Sequence, residues 1–379
     1  PDAAILAYEA AIELQPEAVD YHYTLAELLD AQGQGSAALV QYRLAVELEP
    51  DNAALRLDLG ACLQGVGQLD EAAQQYRQAL ALEPGLAQAH NNLGGIHQAR
   101  DELDAAADCY RAALAADPEL AEAHRNYAAV LETTGQPEAA LRHYQEALRL
   151  KPEYAEVAYK LAALRGDAVP ETAPPDYIAG LFDQYAEEFD EHLTGALGYR
   201  TPQRLRELFD ELAGDATGLR VLDLGCGTGL SGLAFRDRAA FLAGVDLSSR
   251  MLDKARAREL YDELHCGDLV PALEAESGAW ELVLAADVFV YLGDLAAVLA
   301  ACSRALRPGG WLLFSVEQGD QEDFVLGKSG RYAHSVDYLR GLADAAGLSV
   351  RAIRATVLRQ DFGQDVKGWL LALQKRNEP

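Results

Sequence analysis

The sequence is short of the residues that would place it in several common classes. Its five cysteines, Cys62, Cys109, Cys226, Cys266 and Cys302, are odd in number, scattered, and never spaced CxxC. That argues against a disulfide framework and a zinc site. It fits a reducing compartment, so a cytoplasmic location is expected. No run approaches 18 consecutive apolar residues, so no membrane-spanning helix is expected. Positive charge is scarce: 32 Lys and Arg stand against 60 Asp and Glu, a net charge of −28. Residues 1–165 hold 11 basic against 26 acidic side chains, and residues 166–379 hold 21 against 34. Nucleic-acid binding needs a cationic footprint, and neither half offers one. The chain opens at Pro1 partway through a repeating pattern, so further residues are expected upstream and a signal peptide is not readable.

What is present is a period. Pro16, Pro50, Pro84, Pro118 and Pro152 stand 34 residues apart. Tyr8, Tyr42, Tyr76, Tyr110 and Tyr144 keep the same phase, as do Ala11, Ala45, Ala79, Ala113 and Ala147. A fixed period of this length means stacked helix pairs. Ala53–Gln64 and Leu69–Leu82 read as one such pair. Small residues, Ala26, Gly60, Gly94, Ala128 and Ala162, mark the helix crossing, where a large side chain would push the helices apart. Each Pro ends a unit because it cannot continue the helix before it.

This frame resembles the tetratricopeptide repeat over residues 1–165. A half repeat at 1–16 precedes full repeats starting near Val19, Ala53, Ala87 and Ala121, and a lone helix, Ala155–Leu164, follows. The resemblance implies an all-α solenoid whose concave face binds a peptide or a protein. First-helix positions Tyr23, Arg56, Asn91, Asn92, Arg125 and Asn126 are the candidates for reading a ligand. Asn92 and Asn126, one repeat apart, could bond an extended backbone. Residues 166–176, GDAVPETAPPD, read as a linker.

Residues 177–379 change character. A helix is expected over 177–193 and another over 201–212. Strands are expected at 219–224, 241–246, 262–266, 281–286 and 310–316, alternating with helices at 228–238, 249–258 and 294–307. A helix over 332–346 and strands near 348–359 and 366–375 close the chain. Such alternation means an α/β Rossmann-like doubly wound parallel sheet, with helices on both faces.

The first expected strand runs into Asp223-Leu224-Gly225-Cys226-Gly227-Thr228-Gly229. Alternate glycines allow a tight turn and let a ligand approach bare backbone at a helix N-terminus. A glycine turn alone is a weak signal, since nicotinamide and flavin enzymes use similar ones. Here the spacing is GxGxG, and Asp223 would repel a diphosphate. Two further acids follow later strands, Asp246 in GVDLS and Asp268 in CGDL.

These residues resemble class I S-adenosylmethionine-dependent methyltransferases, over residues 177–379. The resemblance implies that Asp223 and the turn Gly225, Cys226, Gly227 and Gly229 hold the methionine amine and carboxylate of S-adenosylmethionine. It implies that Asp246 accepts the ribose hydroxyls and that Leu247 packs on the adenine. Asp268 and the backbone of Leu269 meet the adenine edge, and Asp287 lines the site near the transferred methyl. The product would be S-adenosylhomocysteine. LFDQYAEEFDEHL (181–193), GYR (198–200) and RYAHS (331–335) are similar to bacterial methyltransferases that carry N-terminal tetratricopeptide repeats. Tyr177, Phe182, Tyr185 and Phe189 sit at helical spacings, and Tyr185 is the favoured aromatic lid over the cofactor.

A sulfonium methyl is a strong electrophile, so positioning supplies much of the catalysis. A base is needed only where the acceptor must lose a proton. The candidates are His334, Asp287, Tyr332 and His192, with His334 first. The segment after the fourth strand, Ala285-Ala286-Asp287-Val288-Phe289, lacks the NPPY pattern of adenine-N6 and glutamine-amide methylation, and no Pro-Cys pair for cytosine-C5 chemistry is present. Small molecules and proteins remain open as acceptors; nucleic acid, membrane and metal are not expected. A repeat-based scaffold without activity and a nicotinamide oxidoreductase are the competing readings.

Overall fold

The computed structural model describes residues 2–166, 170–187, 189–191, 193, 195, 198–320, 323–361 and 364–377. The chain divides into two compact units, Pro1–Ala158 and Tyr159–Pro379.

The first unit is the helical repeat. Its pairs are Val19–Asp30 with Gly35–Leu48, Ala53–Gly65 with Leu69–Leu82, Ala87–Ala99 with Leu103–Ala116, and Ala121–Thr133 with Pro137–Leu150; Asp2–Leu14 stands before them. The phased tyrosines explain the small residues. A Cβ on Gly60 would lie 2.6 Å from the ring of Tyr76, and one on Gly94 would lie 2.7 Å from that of Tyr110. Burying a phenol requires a partner for its hydroxyl. Tyr76 donates to Gln64 (3.0 Å), Tyr110 to Gln98 (2.9 Å) and Tyr144 to Glu132 (3.0 Å).

A second phased device was not read from the sequence. His22, Arg56, His90 and His124 stand 34 residues apart. Each side chain bonds the carbonyl of the proline before its helix, Pro16, Pro50, Pro84 and Pro118, at 2.8–3.0 Å. Arg56 therefore belongs to the repeat frame: its Nε donates to Pro50 and its Nη1 donates to Gln75 (3.0 Å). The expected amide pair is also engaged. Asn126 donates to Asn91 (3.0 Å), Asn91 to Asn92 (3.3 Å), and Arg125 to Asn126 (3.2 Å). Tyr23 shares hydrogen bonds with Glu27 and Asp58.

The second unit opens inside the helix Ala155–Arg165. Tyr159 is buried and donates to the carbonyl of Gly330 (2.7 Å), and Ala162 and Ala163 pack with Ile178, Leu326 and Tyr332. The stretch expected to be a linker is bound chain where it is described. Pro170 accepts from the Tyr332 hydroxyl (2.7 Å), Glu171 from the N–H groups of Gly293 (2.8 Å) and Asp294 (3.0 Å), and Ala173 donates to Tyr291 (2.9 Å). Prolines remove donors but leave carbonyls, so a proline-rich strap can still be tied down.

Nine strands among the described residues form one sheet. They are β1 (Leu219–Leu224), β2 (Ala239–Asp246), β3 (Glu263–Cys266), β4 (Trp280–Ala285), β5 (Leu306–Gln318), β6 (Phe324–Leu326), β7 (Tyr332–His334), β8 (Leu348–Asp361) and β9 (Gln364–Lys375). The order β3-β2-β1-β4-β5 is parallel throughout. β9 runs antiparallel to β5 and forms a hairpin with β8. β7 joins the far end of β5 in parallel and pairs antiparallel with β6. Alternate strand residues bury two cores. Leu222, Val245, Val283 and Phe314 face one layer, with Leu273, Leu299 and Leu339 from its helices. Val221, Leu242, Leu282 and Leu313 face the other, with Leu205, Phe209 and Phe235. The chain leaves β1 toward β2 and later returns on its other side as β4. The carboxyl ends of β1 and β4 therefore flank a topological switch point, where such sheets bind ligands.

Two expected elements change. The helix expected over 177–193 is Pro175–Tyr185 and, after a turn at 186–187, the separate short helix Phe189–Glu191. Residues 332–334 are β7, and the helix begins only at Val336, capped by Ser335, whose Oγ accepts from the N–H of Tyr338 (3.2 Å). Three residues are too few for periodicity to separate strand from helix. The helix Leu269–Ala275 was likewise not expected. Among the described residues, no helix is long and apolar enough to cross a membrane.

Candidate active site

A cleft of about 180 Å³ opens at the carboxyl ends of β1, β2, β3 and β4. The glycine turn forms its floor. Gly225 has φ +59° and Gly227 φ +53°, a region that favours glycine. A Cβ on Gly225 would sit 2.4 Å from Val288 Cγ2, so the turn packs tightly against the segment after β4. A Cβ on Gly227 would meet nothing within 4 Å, so this glycine lines open cleft. Asp246 ends β2. Its Oδ2 accepts from the N–H of Gly227 (2.9 Å) and its Oδ1 from that of Ser248 (2.8 Å). Burial pushes its carboxyl up, against those two hydrogen bonds. Leu247, Asp268 and Leu269 complete this end.

The other end is built around Asp287, which follows β4. Its φ is +57°, a strained value for a residue with a side chain. Ser315 holds it there: its Oγ accepts from the N–H of Asp287 (2.8 Å) and donates to Oδ1 (2.6 Å). Such strain concentrates at functional sites. Arg359 from β8 reaches Asp287 Oδ2 (3.5 Å) and pairs with Glu317. Tyr199, Tyr291 and Arg331 also line the cleft, as do Phe182, whose ring meets that of Tyr291, and Phe189.

The structure thus gathers Gly225, Cys226, Gly227, Asp246, Leu247, Asp268, Leu269 and Asp287 around one cleft. Five expected residues lie elsewhere. Asp223 is fully buried behind the turn, where Oδ2 accepts from the Tyr261 hydroxyl (2.6 Å). Burial, with help from Asp246, pushes its carboxyl up to about 7. Gly229 packs against Tyr261, its N–H bonded to Cys226 (2.9 Å). Tyr185 is 51% exposed and does not line the cleft; Phe182 and Phe189 take the place expected of it. Phe182 lies in Pro175–Tyr185 and Phe189 in the separate helix Phe189–Glu191, so the single helical spacing expected across 177–193 does not decide which aromatic turns inward.

His334 is fully buried off the cleft, with Nε2 bonded to the carbonyl of Gly293 (3.0 Å) and its ring stacked on Tyr338. Burial pulls it down to about 4, so neither access nor basicity suits a general base. Tyr332 is buried on Pro170. His192 lies outside the described residues. Tyr199, Arg331 and Arg359 were not expected in these roles. Tyr199 and Arg331 lie in GYR and RYAHS, which the sequence did flag; nothing local in the sequence singles out Arg359.

An acidic strap closes over the cofactor end. Asp183 accepts from the Ser248 hydroxyl (2.5 Å), and Asp190 accepts from the Thr228 hydroxyl and pairs with Arg258. Arg258 Nε in turn donates to the carbonyl of Thr228 (2.7 Å). Asp183 and Asp190 are thereby fastened to the residues that follow β2 and β1.

The fold is a doubly wound sheet with acids after successive strands and a bare glycine turn at its switch point. Residues 221–310 match the family model for a methyltransferase domain. Residues 1–53 and 85–153 match models for the tetratricopeptide repeat, and 66–101 a further model of that repeat. The chain carries a methyltransferase domain behind tetratricopeptide repeats. It is similar to the ubiquinone biosynthesis O-methyltransferase of Bordetella avium, 31% identical over 128 residues, 33% of this chain and 53% of that protein. Its similarity to the Thiobacillus denitrificans protein of the same name is 34% over 130 residues, 33% and 55% of the two chains. The chain spans about half the length of these curated relatives. Among solved structures it is similar to MamA (23% identity, TM-score 0.38, covering 41% of this chain and 90% of that one). It is also similar to an S-adenosylmethionine-dependent methyltransferase of Methanosarcina mazei (17%, TM-score 0.37, 42% and 93%).

Proposed function

We propose that the chain transfers a methyl group from S-adenosylmethionine to a small-molecule or protein acceptor, and that its repeats bind a partner or substrate. The observation that carries this reading is Asp246: a carboxylate held by two backbone N–H groups beside the open Gly227 turn, with Asp268 lining the same cleft. Among the described residues, no Lys or Arg is paired with Asp246. Two acids without a cation suit hydroxyls, an adenine amino group and a positively charged donor; they would repel a diphosphate. That favours a nucleoside sulfonium over a dinucleotide.

The cofactor, when bound, supplies an electrophilic methyl on sulfur. Asp246 would accept the ribose hydroxyls, Asp268 and the Leu269 backbone would meet the adenine edge, and the Gly225–Gly227 turn would pass the amino-acid portion. Asp287 would take a proton at a carboxylate oxygen, and its contacts with Ser315 and Arg359 fix its orientation. Phe182 and Phe189 would exclude water, and the strap contacts at Asp183 and Asp190 would keep them closed.

The test is transfer of radiolabelled methyl from S-adenosylmethionine into a cell lysate, separated into protein and small-molecule fractions. Label in either fraction, absent with an Asp246→Asn chain, supports the reading. No transfer by the unaltered chain in any lysate, despite measured cofactor binding, would favour a scaffold that retains only binding.

A further inference from the structure

Two arginines line the cleft beside Asp287, and among the described residues only one of them is in an ion pair; Asp287 and Glu317 attract the other from farther off. Arg359 is 4% exposed and paired with both Asp287 and Glu317. Arg331 is half-buried, and among the described residues no carboxylate lies within ion-pair distance of it. Its Nε donates to the Tyr291 hydroxyl (3.3 Å), and its guanidinium sits 5.9 Å from the centroid of that ring. The guanidinium thus keeps N–H groups that no described carboxylate takes up, and a ligand carboxylate entering the cleft could reach them.

The position of Arg331 is fixed by its neighbours. Its carbonyl accepts from Gly327 (2.8 Å), the carbonyl of Gly330 accepts from Tyr159 (2.7 Å), and Tyr332 is tied to Pro170 (2.7 Å). The side chain therefore reaches the cleft from a turn anchored on both flanks. That turn connects β6 and β7, on the side of β4 away from β1, β2 and β3. The cofactor residues proposed above follow β1, β2 and β3, so Arg331 stands with Asp287 and Tyr291 on the acceptor side. Beside it the ring of Phe182 meets that of Tyr291 (centroids 5.7 Å apart), and Ile178, Phe189 and Leu292 line the same cleft.

From this placement we propose that the methyl acceptor is a small molecule with a carboxylate, which Arg331 binds, and a flat apolar body, which the aromatic walls cover. Arg is suited to such a group because its planar fork matches two carboxylate oxygens. Held at that end, the acceptor's nucleophilic atom is directed toward Asp287. The proposal rests on the methyltransferase reading, and its test separates the two.

The intact chain is first saturated with S-adenosylhomocysteine, followed by calorimetry. Absence of that binding counts against the methyltransferase reading, and the proposal falls with it. With the cofactor product bound, phenylacetate and its neutral match phenylacetamide are titrated as probes. Phenylacetate is expected to bind in the millimolar range, at least tenfold more tightly than the amide. Arg331→Met is expected to erase that preference while S-adenosylhomocysteine affinity is kept. Three results would overturn the proposal: equal binding of acid and amide, no binding of the acid at tens of millimolar, or an undiminished preference in Arg331→Met. A tenfold loss of S-adenosylhomocysteine affinity in the variant would also overturn it, by assigning Arg331 to the cofactor's own carboxylate. The acid–amide comparison uses the unaltered chain, so it holds even where the variant fails to fold.

Discussion

At the scale of single residues, the buried acids carry the most testable physics. Asp223 is fully buried, and its Oδ1 has no hydrogen-bond partner among the described residues. Its folded value, about 7, lies above the ordinary 3.8. The folded chain thus binds a proton that the unfolded chain has lost, and stability falls as pH rises from about 4 to 7. Asp223→Asn should therefore stabilise the protein by about 1–4 kcal/mol at pH 8 and by little near pH 4. Urea denaturation of both chains at the two pH values checks this, and a pH-independent difference would contradict it. Arg359 gives a second case. Arg359→Met leaves Glu317 and Asp287 without their cation, and a loss of about 3–5 kcal/mol is expected in the same experiment; a loss below about 1 kcal/mol would mean the pair is solvated.

At the scale of elements, the repeat was readable because each position of the period is one environment repeated. Gly60 and Gly94 are small for a reason any helix pair would share: a tyrosine ring occupies the space of the missing Cβ. Gly60→Val should overpack that crossing and cost about 1–3 kcal/mol, measured as a shift in denaturation midpoint. The glycine turn was readable for a similar reason, since the positive φ at Gly225 and Gly227 is a backbone conformation that favours glycine. Asp246 and Asp268 followed from strand ends. Arg359 did not, because its place in the cleft is set by the register of β8 against β9 and of β9 against β5. His334 was misplaced because RYAHS was expected in an acceptor-facing loop after the fifth strand, whereas 332–334 form β7, which buries the ring. The strap adds a prediction at this scale. Asp190→Ala removes the partner of Thr228 and Arg258, and limited proteolysis should then cut within 175–191 faster than in the unaltered chain. An unchanged cutting rate would show that Asp183 and the apolar contacts hold the strap alone.

At the scale of the whole molecule, composition marked the change of domain but not which residues each unit needs. Proline-rich 166–176 reads as spacer, yet Pro170, Glu171 and Ala173 bond the second unit, and Tyr159 packs in its core. A fragment of residues 155–379 should bind S-adenosylhomocysteine, whereas one of 177–379 should melt at lower temperature and bind it more weakly. The central claim concerns the cofactor end of the cleft, and one titration reaches it directly: calorimetry of the intact chain with S-adenosylhomocysteine, repeated on Asp246→Asn. One site per chain is expected, weakened by about 1–3 kcal/mol in the variant. No heat from the unaltered chain, or equal affinity in both, would contradict the assignment of that cleft.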